Sequence, residues 1–228
     1  MNNQLAEIAF ILDRSGSMKP LQEAAVTAFN AFVKSQLDVP GDAHLTLVQF
    51  DDAYEVPVLA RPLKEVPELT AATYVPRGST ALLDAIGRTI TETARRLDGL
   101  LGDKKPGKVI MAIFTDGHEN ASREYNSKQT NELIRVYRDT HGWEFLFLAA
   151  NQDAIASAAA LHMDAHLSSS VEFSAKGMHS GWMAGSRKIR SLRMKASGTM
   201  DQQAMADDRK NLAEIIKEED EKNNKSEA

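Results

Sequence analysis

Short apolar segments alternate with helical patterns along this chain, and this alternation constrains the fold more than any other feature. Residues 7–12 and 109–114 form two strongly apolar runs. Residues 21–33 follow the first run, residues 83–97 precede the second, and both segments have apolar side chains at helical spacing. Buried strands that alternate with helices are typical of a parallel sheet covered on both faces. We therefore predict an α/β fold with a doubly wound, mostly parallel sheet.

One edge strand is predicted to run antiparallel to its neighbour. Residues 44–51 alternate between apolar and polar side chains, and residues 54–59 follow after a tight corner at Asp51, Asp52 and Ala53. Two strands joined by so few residues form a hairpin. We interpret Asp51 and Asp52 as the corner of that hairpin and not as a second metal site.

Further helices and a strand are predicted in the second half of the chain. Residues 128–140 fit a helix with Ser127 as its N-cap, and residues 144–150 fit a strand. Residues 153–161 form a short alanine-rich helical pattern. Apolar residues within 178–192 recur at spacings of four and three, which predicts an amphipathic helix that covers the sheet.

This last helix is also rich in basic side chains, namely Arg187, Lys188, Arg190, Arg193 and Lys195. Such a cluster could contact phosphate groups of a nucleic acid. No aromatic stacking pattern accompanies it, so we interpret it as a solvated helix face. Trp182 in the same helix is interpreted as a core residue.

The composition changes at Gly198, after which charged residues dominate. A weak helical stripe is visible, but the last eight residues contain nothing that could be buried, and we expect them to be disordered. The predicted organisation is one domain over residues 1–197 and a charged, partly helical or disordered tail over residues 198–228.

Composition argues against several classes of protein. The net charge of −5 argues against attraction to nucleic acids or to anionic membranes. There is no cysteine, which excludes disulfides, zinc–thiolate sites and a cysteine nucleophile. The first residues lack the basic segment of a signal peptide, and the following apolar run is too short to span a membrane. We therefore expect a cytoplasmic protein.

Oxygen-bearing side chains follow the two apolar runs directly. Asp13, Ser15 and Ser17 stand after the first run, and Asp116 stands after the second. If these strands are neighbours, both carboxylates meet at the carboxyl edge of the sheet, where open α/β sheets bind ligands. Two carboxylates at such close range repel each other unless a cation lies between them. Hard oxygen donors of this kind suit Mg²⁺ or Mn²⁺.

A third segment, Gly78-Ser79-Thr80, precedes the helical pattern at residues 83–97. Together the three segments resemble the metal-ion-dependent adhesion site of the von Willebrand factor type A family. The resemblance implies that the hydroxyls of Ser15, Ser17 and Thr80 bond a metal directly. It also implies that Asp13 and Asp116 act partly through water, and that an Asp or Glu from a protein partner fills the open position.

Some residues beside these segments depart from the family pattern or have no fixed role. Arg77 stands where small residues are common, and Ser79 replaces a common glycine, although neither change removes a ligand. His118, Glu119 and Asn120 follow Asp116 closely. They are either groups that surround the metal or contact the partner, or a polar connecting loop.

The leading functional hypothesis is a divalent-metal-dependent protein–protein interaction module that acts as an intracellular adaptor or scaffold and is not an enzyme. Bacterial and phage chains that resemble this family often work alongside AAA+ ATPases. The resemblance therefore implies such a machine as a partner class.

A metal-dependent hydrolase or phosphotransferase is the alternative. With Asp13 as nucleophile, the chain would resemble the haloacid dehalogenase phosphatases, which need a second aspartate where this chain has Ser15. The sequence also lacks a Ser-His-Asp order, a nucleophile elbow and a phosphate-binding loop. Binding of nucleic acid through the basic helix is a third and weaker hypothesis.

Overall fold

The computed structural model describes residues 1–116, 119–150, 156 and 161–226. Its strands are β1 (Asn2–Asp13), β2 (Asp42–Phe50), β3 (Tyr54–Pro62), β4 (Pro106–Thr115), β5 (Glu144–Ala149) and β6 (Ser168–Ser170). They form a six-stranded sheet in the order β3-β2-β1-β4-β5-β6. The β2–β3 pair is antiparallel, and the other neighbouring pairs are parallel. The predicted fold class, with its antiparallel edge strand, is confirmed.

The helices are α1 (Gln22–Leu37), α2 (Leu82–Asp98), α3 (Ser127–His141), α4 (Ala175–Ser197), α5 (Gln202–Arg209) and α6 (Leu212–Ser226). Side chains of α1, α4 and α6 form a core on one face of the sheet, and those of α2 and α3 form a core on the other. Among the described helices, none combines the length and the apolar character that a membrane crossing requires. The helix predicted over residues 153–161 lies outside the described residues, except for residues 156 and 161.

The central strand β1 contributes to both cores. Ile8, Phe10 and Leu12 face α1 and α4, whereas Ala9 and Ile11 face α2 and α3. Side chains of a strand alternate between the two faces of the sheet, so a strand covered on both faces is apolar throughout. This explains the uninterrupted apolar run that precedes the first aspartate.

An aromatic cluster fixes α4 against the sheet. The ring of Phe10 in β1 is stacked on that of Phe114 in β4, with centroids 4.5 Å apart. Trp182 of α4 lies 5.0 Å from Phe10 and 4.4 Å from Phe114, measured between ring centroids. Trp182 is therefore a core residue, as predicted, and it packs close to the carboxyl ends of both central strands.

The two C-terminal helices pack against α4. Leu212, Ile215 and Ile216 of α6 belong to the same core as the aromatic cluster. Near the end of α6, Asn223 Nδ2 donates to Ser180 Oγ at 3.0 Å. The prediction that the last eight residues are disordered is wrong for residues 221–226, because α6 continues to its contact with α4. The domain boundary at residues 197 and 198 stays a prediction.

Charge pairing between α4 and the C-terminal helices explains why this segment is ordered. Arg187 Nη1 donates to Glu219 Oε1 at 2.7 Å, and Arg187 Nη2 donates to Glu218 Oε2 at 2.8 Å. Arg187 also forms a two-pronged ion pair with the buried carboxylate of Asp207. The interpretation of the basic helix as a solvated face is therefore wrong at Arg187.

Two more basic residues of α4 point into the protein. Lys188 is buried, and its Nζ donates to the backbone carbonyls of Asp207 (2.9 Å) and Lys210 (2.6 Å) at the end of α5. A cation at this position satisfies carbonyls that a helix C-terminus leaves without partners. Arg193 is also buried and donates to the carbonyl oxygen of Gln36 at 2.8 Å. These side chains hold elements of the fold together and are not exposed to bind phosphate.

The N-cap of α3 differs by one residue from the prediction. Asn126 and not Ser127 is the N-cap, since Asn126 Oδ1 accepts from the backbone N–H of Gln129 at 3.0 Å. The Gln129 side chain accepts in turn from the backbone N–H of Asn126 at 3.0 Å. This reciprocal pair is a capping box, and a glutamine at the third helical position selects the residue three before it as the cap.

Candidate metal centre

The two aspartates of the predicted site lie at the ends of neighbouring strands. β1 and β4 are parallel, with Leu12 opposite Phe114. Asp13 closes β1 and is fully buried, and Asp116 follows β4 directly and is 6 % exposed. The strand order reverses between β1 and β4. The structure therefore brings both carboxylates to the switch point where open α/β sheets bind ligands.

An unbroken series of hydrogen bonds joins the two carboxylates through the serines. The backbone N–H of Ser15 donates to Asp13 Oδ1 at 2.7 Å. The hydroxyls of Ser15 and Ser17 are 3.0 Å apart, and Ser17 Oγ donates to Asp116 Oδ1 at 2.9 Å. Four of the five predicted site residues are thus linked in one hydrogen-bonded series.

Thr80 lies near this region because the segment that carries it contacts the turn after β1. The N–H of Gly16 donates to the carbonyl oxygen of Gly78 at 3.1 Å, so the segment before α2 touches the turn after β1. Thr80 is buried, and its N–H donates to Asn120 Oδ1 at 2.9 Å. Thr80 therefore lies on the third segment beside the other four residues, and its role as a ligand stays a prediction.

The loop after β4 holds the start of α2. The carbonyl oxygen of Thr80 accepts from the N–H of Asn120 at 3.0 Å, which completes a reciprocal pair. Glu119 Oε2 accepts from the N–H of Leu83 at 2.9 Å, in the first turn of α2. Glu119 and Asn120 thus position the Thr80 segment. His118, also singled out in the sequence, lies outside the described residues.

Burial governs the electrostatics of the two aspartates. It raises the pKa of Asp13 to about 6, and the negative charge of Asp116 adds to this shift. Hydrogen bonds from Thr115, whose hydroxyl donates to Asp13 Oδ2 at 2.5 Å, and from Ser15 partly oppose it. Burial also raises the pKa of Asp116, against a hydrogen bond from Ser17. Both carboxylates are therefore held where their negative charge is costly.

The positive charge nearest in sequence is directed elsewhere. Arg14 follows Asp13, but its Nε donates to Asp51 Oδ2 at 3.0 Å and its Nη1 donates to Glu55 Oε2 at 2.7 Å. The hydrogen bond from Arg14 lowers the pKa of Glu55 to about 2. Arg77 donates to the same two carboxylates, at 2.9 and 2.8 Å. These four residues form a charge cluster beside the site.

Sequence reasoning missed Tyr74, which supports the end of β1. Tyr74 is fully buried, and its hydroxyl donates to the carbonyl oxygen of Asp13 at 2.5 Å. It stands in the segment between β3 and α2, which contains Pro67 and Pro76. A tyrosine inside a proline-rich connection was the available signal, since buried tyrosines bring a hydroxyl that needs a partner.

Comparison with solved structures identifies the architecture. The manganese-loaded TRAP protein of Plasmodium vivax superposes with a TM-score of 0.51 at 12% identity, over 76% of this chain and 70% of that chain. A von Willebrand factor type A structure from Catenulispora acidiphila gives a TM-score of 0.52 at 15% identity, over 85% of this chain and 42% of that one. This chain has the von Willebrand factor type A fold.

A third structure with the type A fold was solved with its adhesion motif filled. Proximal thread matrix protein 1 from the mussel byssus has a zinc-occupied metal-ion-dependent adhesion site (MIDAS) motif. It gives a TM-score of 0.56 at 14% identity, over 81% of this chain and 46% of that one. This chain spans less than half the length of that protein and of the Catenulispora one. No protein-family model and no curated protein sequence matches it. Identity at this level shows the type A fold alone.

The donor set in this type A fold fits a hard divalent cation. Asp13 and Asp116 supply two buried carboxylates, and Ser15 and Ser17 supply hydroxyl oxygens within the same hydrogen-bonded series. A cation between the carboxylates would offset the cost of ionising them in a buried place. Within the described residues, no group of three or more His, Cys, Asp or Glu side chains could hold a metal. A metal here would therefore depend on hydroxyl ligands, which suits Mg²⁺ or Mn²⁺ better than Zn²⁺.

Proposed function

We propose that this chain is a divalent-metal-dependent protein–protein interaction module. Asp13, Ser15, Ser17, Thr80 and Asp116 would hold Mg²⁺ or Mn²⁺, and an Asp or Glu of a partner would complete the coordination. The observation that carries this proposal is the pair of buried carboxylates on neighbouring strands, joined through two serine hydroxyls.

The chemistry of the donor set supports an incoming acidic ligand. Mg²⁺ demands near-octahedral coordination by oxygen. Five protein groups, some of them acting through water, would leave one position for an oxygen from outside. Two aspartates do no more than balance the charge of a divalent ion, so an incoming carboxylate would meet no net negative charge and could bond to the open position. When bound, the metal would supply a Lewis-acidic position for that group.

The proposal includes a cellular setting, and its support comes from the sequence. We propose an intracellular adaptor or scaffold in the cytoplasm of a bacterial or phage-infected cell. The absence of cysteine and the net charge of −5 agree with this setting. An AAA+ ATPase-type machine is the partner class that the family resemblance implies.

A hydrolase or phosphotransferase has less support. A nucleophilic Asp13 would need an oxygen open to the substrate. Asp13 is fully buried, its Oδ1 accepts from the N–H of Ser15, and its Oδ2 accepts from Thr115 Oγ1. Ser15 also occupies the position at which such an enzyme needs a second acid. We therefore propose binding and not catalysis.

Calorimetric titration with Mg²⁺ and with Mn²⁺ tests the site. The wild-type chain should bind one ion, and Asp116→Asn should weaken binding by more than about 100-fold, because it removes a charged member of the set. Asp103→Asn, which changes an exposed aspartate on the loop before β4, should bind as the wild type does. Equal metal affinity in Asp116→Asn and the wild type would refute the assignment.

Affinity purification from the native host tests the partner. The wild-type chain should retain a protein in the presence of Mg²⁺ and release it when a chelator is added. Asp116→Asn should retain none of that protein, and Asp103→Asn should retain it fully. Retention that ignores both the chelator and the Asp116→Asn substitution would show that recognition does not pass through the metal.

A further inference from the structure

Asp51, at the hairpin corner after β2, contacts two of the segments that form the proposed metal site. It follows β2, whose last residue, Phe50, lies opposite Asp13. Its carboxylate is 1 % exposed, and Oδ1 accepts from the backbone N–H of Ala53 at 2.6 Å. Asp51 is therefore a buried, fixed charge on the strand adjacent to β1.

The other contacts of Asp51 go to the two segments that carry the proposed hydroxyl ligands. Asp51 Oδ2 accepts from Arg14 Nε at 3.0 Å and from Arg77 Nε at 2.9 Å. Its backbone carbonyl accepts from the N–H of Ala81 at 2.9 Å. Arg14 stands between Asp13 and Ser15, and residues 77 and 81 flank Gly78-Ser79-Thr80. One carboxylate oxygen thus joins the turn after β1 to the segment before α2.

The two segments also touch each other directly. The N–H of Arg77 donates to the carbonyl oxygen of Arg14 at 2.8 Å. Gly78 has a φ of +66°, and a Cβ atom there would lie 2.0 Å from Asp52 Oδ1. The segment before Thr80 therefore packs against the Asp51-Asp52 corner, and the positive φ of Gly78 favours glycine there.

A negative charge at residue 51 is needed for this arrangement. Two guanidinium groups converge on one oxygen, and a carboxylate can accept both hydrogen bonds while offsetting one of the two positive charges. An asparagine would offer a neutral oxygen and a competing N–H₂ group. Glu55 contacts the same arginines, but its side chain is 51% exposed and free of the backbone contacts that fix Asp51.

We infer that Asp51 is a positioning residue for the metal site, acting through Arg14 and Arg77. It holds the Thr80 segment at a fixed distance from Asp13, Ser15 and Ser17. This inference rests on the proposed function, since it concerns the same ligand set. Groups that orient metal ligands typically change metal affinity 10- to 100-fold when they are removed.

Mn²⁺ titration of the full chain, paired with thermal unfolding in chelator, tests the inference. Asp51→Asn should weaken Mn²⁺ binding about 10- to 100-fold, whereas the control Asp103→Asn, which changes an exposed carboxylate on the loop before β4, should change it less than about threefold. Arg77→Gln alters an exposed side chain, so it should weaken Mn²⁺ binding without lowering the melting temperature. This variant keeps the test valid if Asp51→Asn folds poorly.

The double variant Asp51→Asn/Arg77→Gln separates positioning from a general loss of structure. If Asp51 acts through Arg77, the double variant binds Mn²⁺ no more weakly than Asp51→Asn alone, as expected for two coupled residues. Independent, multiplying effects would overturn the inference, and so would Mn²⁺ binding by Asp51→Asn at wild-type strength. A wild-type chain that binds no Mn²⁺ would overturn the proposed function as well, which distinguishes the two failures.

Discussion

Two regions of this molecule bury charged side chains and compensate them in different ways. Between α4 and the C-terminal helices, Arg187 forms ion pairs with Asp207, Glu218 and Glu219. At the carboxyl end of β1, the described partners of the Asp13 carboxylate are an amide N–H and a threonine hydroxyl. The first region joins opposite charges, whereas the second collects like charges.

The difference shows which region stabilises the fold in the absence of a bound cation. Lys210 and Arg187 lower the pKa of Glu218, so ionised Glu218 stabilises the folded chain. Burial raises the pKa of Asp13 to about 6, above the usual 3.8. A raised pKa means that the stability present below pH 3.8 is lost as the pH rises through 6. At neutral pH the Asp13 region therefore costs stability, which a cation bound at the proposed site would offset.

The largest expected effect comes from removing the paired region altogether. A chain that ends at Ser197 loses Leu212, Ile215 and Ile216 from the core and exposes the surface of α4 that they cover. Burial of three such side chains contributes more than about 5 kcal/mol, a large part of a typical domain's stability. We expect circular dichroism to show no cooperative thermal unfolding above room temperature.

A chain that ends at Asn224 is the control for this truncation, because it keeps α6 through Asn223 and its contact with Ser180. It should melt within a few degrees of the full chain. If the chain ending at Ser197 melts as the full chain does, the C-terminal helices add no stability, and the proposed contrast between the two regions fails.

A smaller loss is expected when one partner of the buried ion pair is neutralised. Asp207→Asn leaves Arg187 partly uncompensated in a buried place, which typically costs about 3 kcal/mol. Thermal unfolding should show a decrease of roughly 6–12 °C in melting temperature for a chain of this size. Glu218→Gln changes a more exposed partner of the same arginine and should cost less than about 1 kcal/mol. Equal losses in both variants would argue against a buried pair.

At the proposed metal site, neutralising a buried charge is expected to raise stability instead of lowering it. In chelator at pH 8, Asp13→Asn should keep or raise stability, by up to about 2 kcal/mol, because it removes a buried charge. Excess Mn²⁺ should raise the melting temperature of the wild type by a few degrees and leave that of Asp13→Asn unchanged. Urea unfolding and thermal scans, with Asp103→Asn as control, measure both effects. If Asp13→Asn is markedly less stable than the wild type in chelator, ionised Asp13 supports the fold and the expectation is wrong.

Glu7 gives an intermediate case, a buried carboxylate that does face an arginine. Burial raises its pKa from 4.5 to about 7, against opposing effects of Arg96 and Thr46. The folded state thus keeps a proton that the unfolded state has lost, and stability falls as the pH rises from about 4.5 to 7. Urea unfolding in chelator should show that the wild type loses roughly 2 to 3 kcal/mol more than Glu7→Gln between pH 5 and pH 8. If the free energies of unfolding of the two proteins change in parallel with pH, the pKa of Glu7 is not raised in the folded state.

The sequence was sufficient for the features that depend on local patterns. The continuous apolar runs predicted two buried central strands, and a polar group at the end of each predicted where Asp13 and Asp116 would lie. The tight corner at Asp51-Asp52 predicted the antiparallel edge strand. Each of these depends on residues close together in the chain, whose periodicity or turn chemistry is visible without knowledge of the fold.

The features that were missed depend on contacts between distant parts of the chain. Tyr74 bonds to Asp13 across 61 residues, and Asp51 bonds to Arg14 across 37. The last eight residues appeared too charged to be ordered, because the basic residues that pair with the C-terminal helices stand about 20 to 30 residues earlier in α4. Charge in one segment cannot be judged as exposed or buried until its opposite charge has been located.

The aromatic cluster beneath the candidate metal centre has a practical consequence for spectroscopy. Trp182 packs on Phe114, two residues before Asp116, and on Phe10, three residues before Asp13. The other tryptophan, Trp143, directly precedes β5. It therefore lies at the amino end of that strand, opposite the carboxyl ends that carry the site, and it packs on Tyr137. Indole emission and near-ultraviolet dichroism respond to the packing around the ring. The chain therefore carries one tryptophan beside the site and a second one away from it that can serve as an internal reference, so ion titrations need no added label.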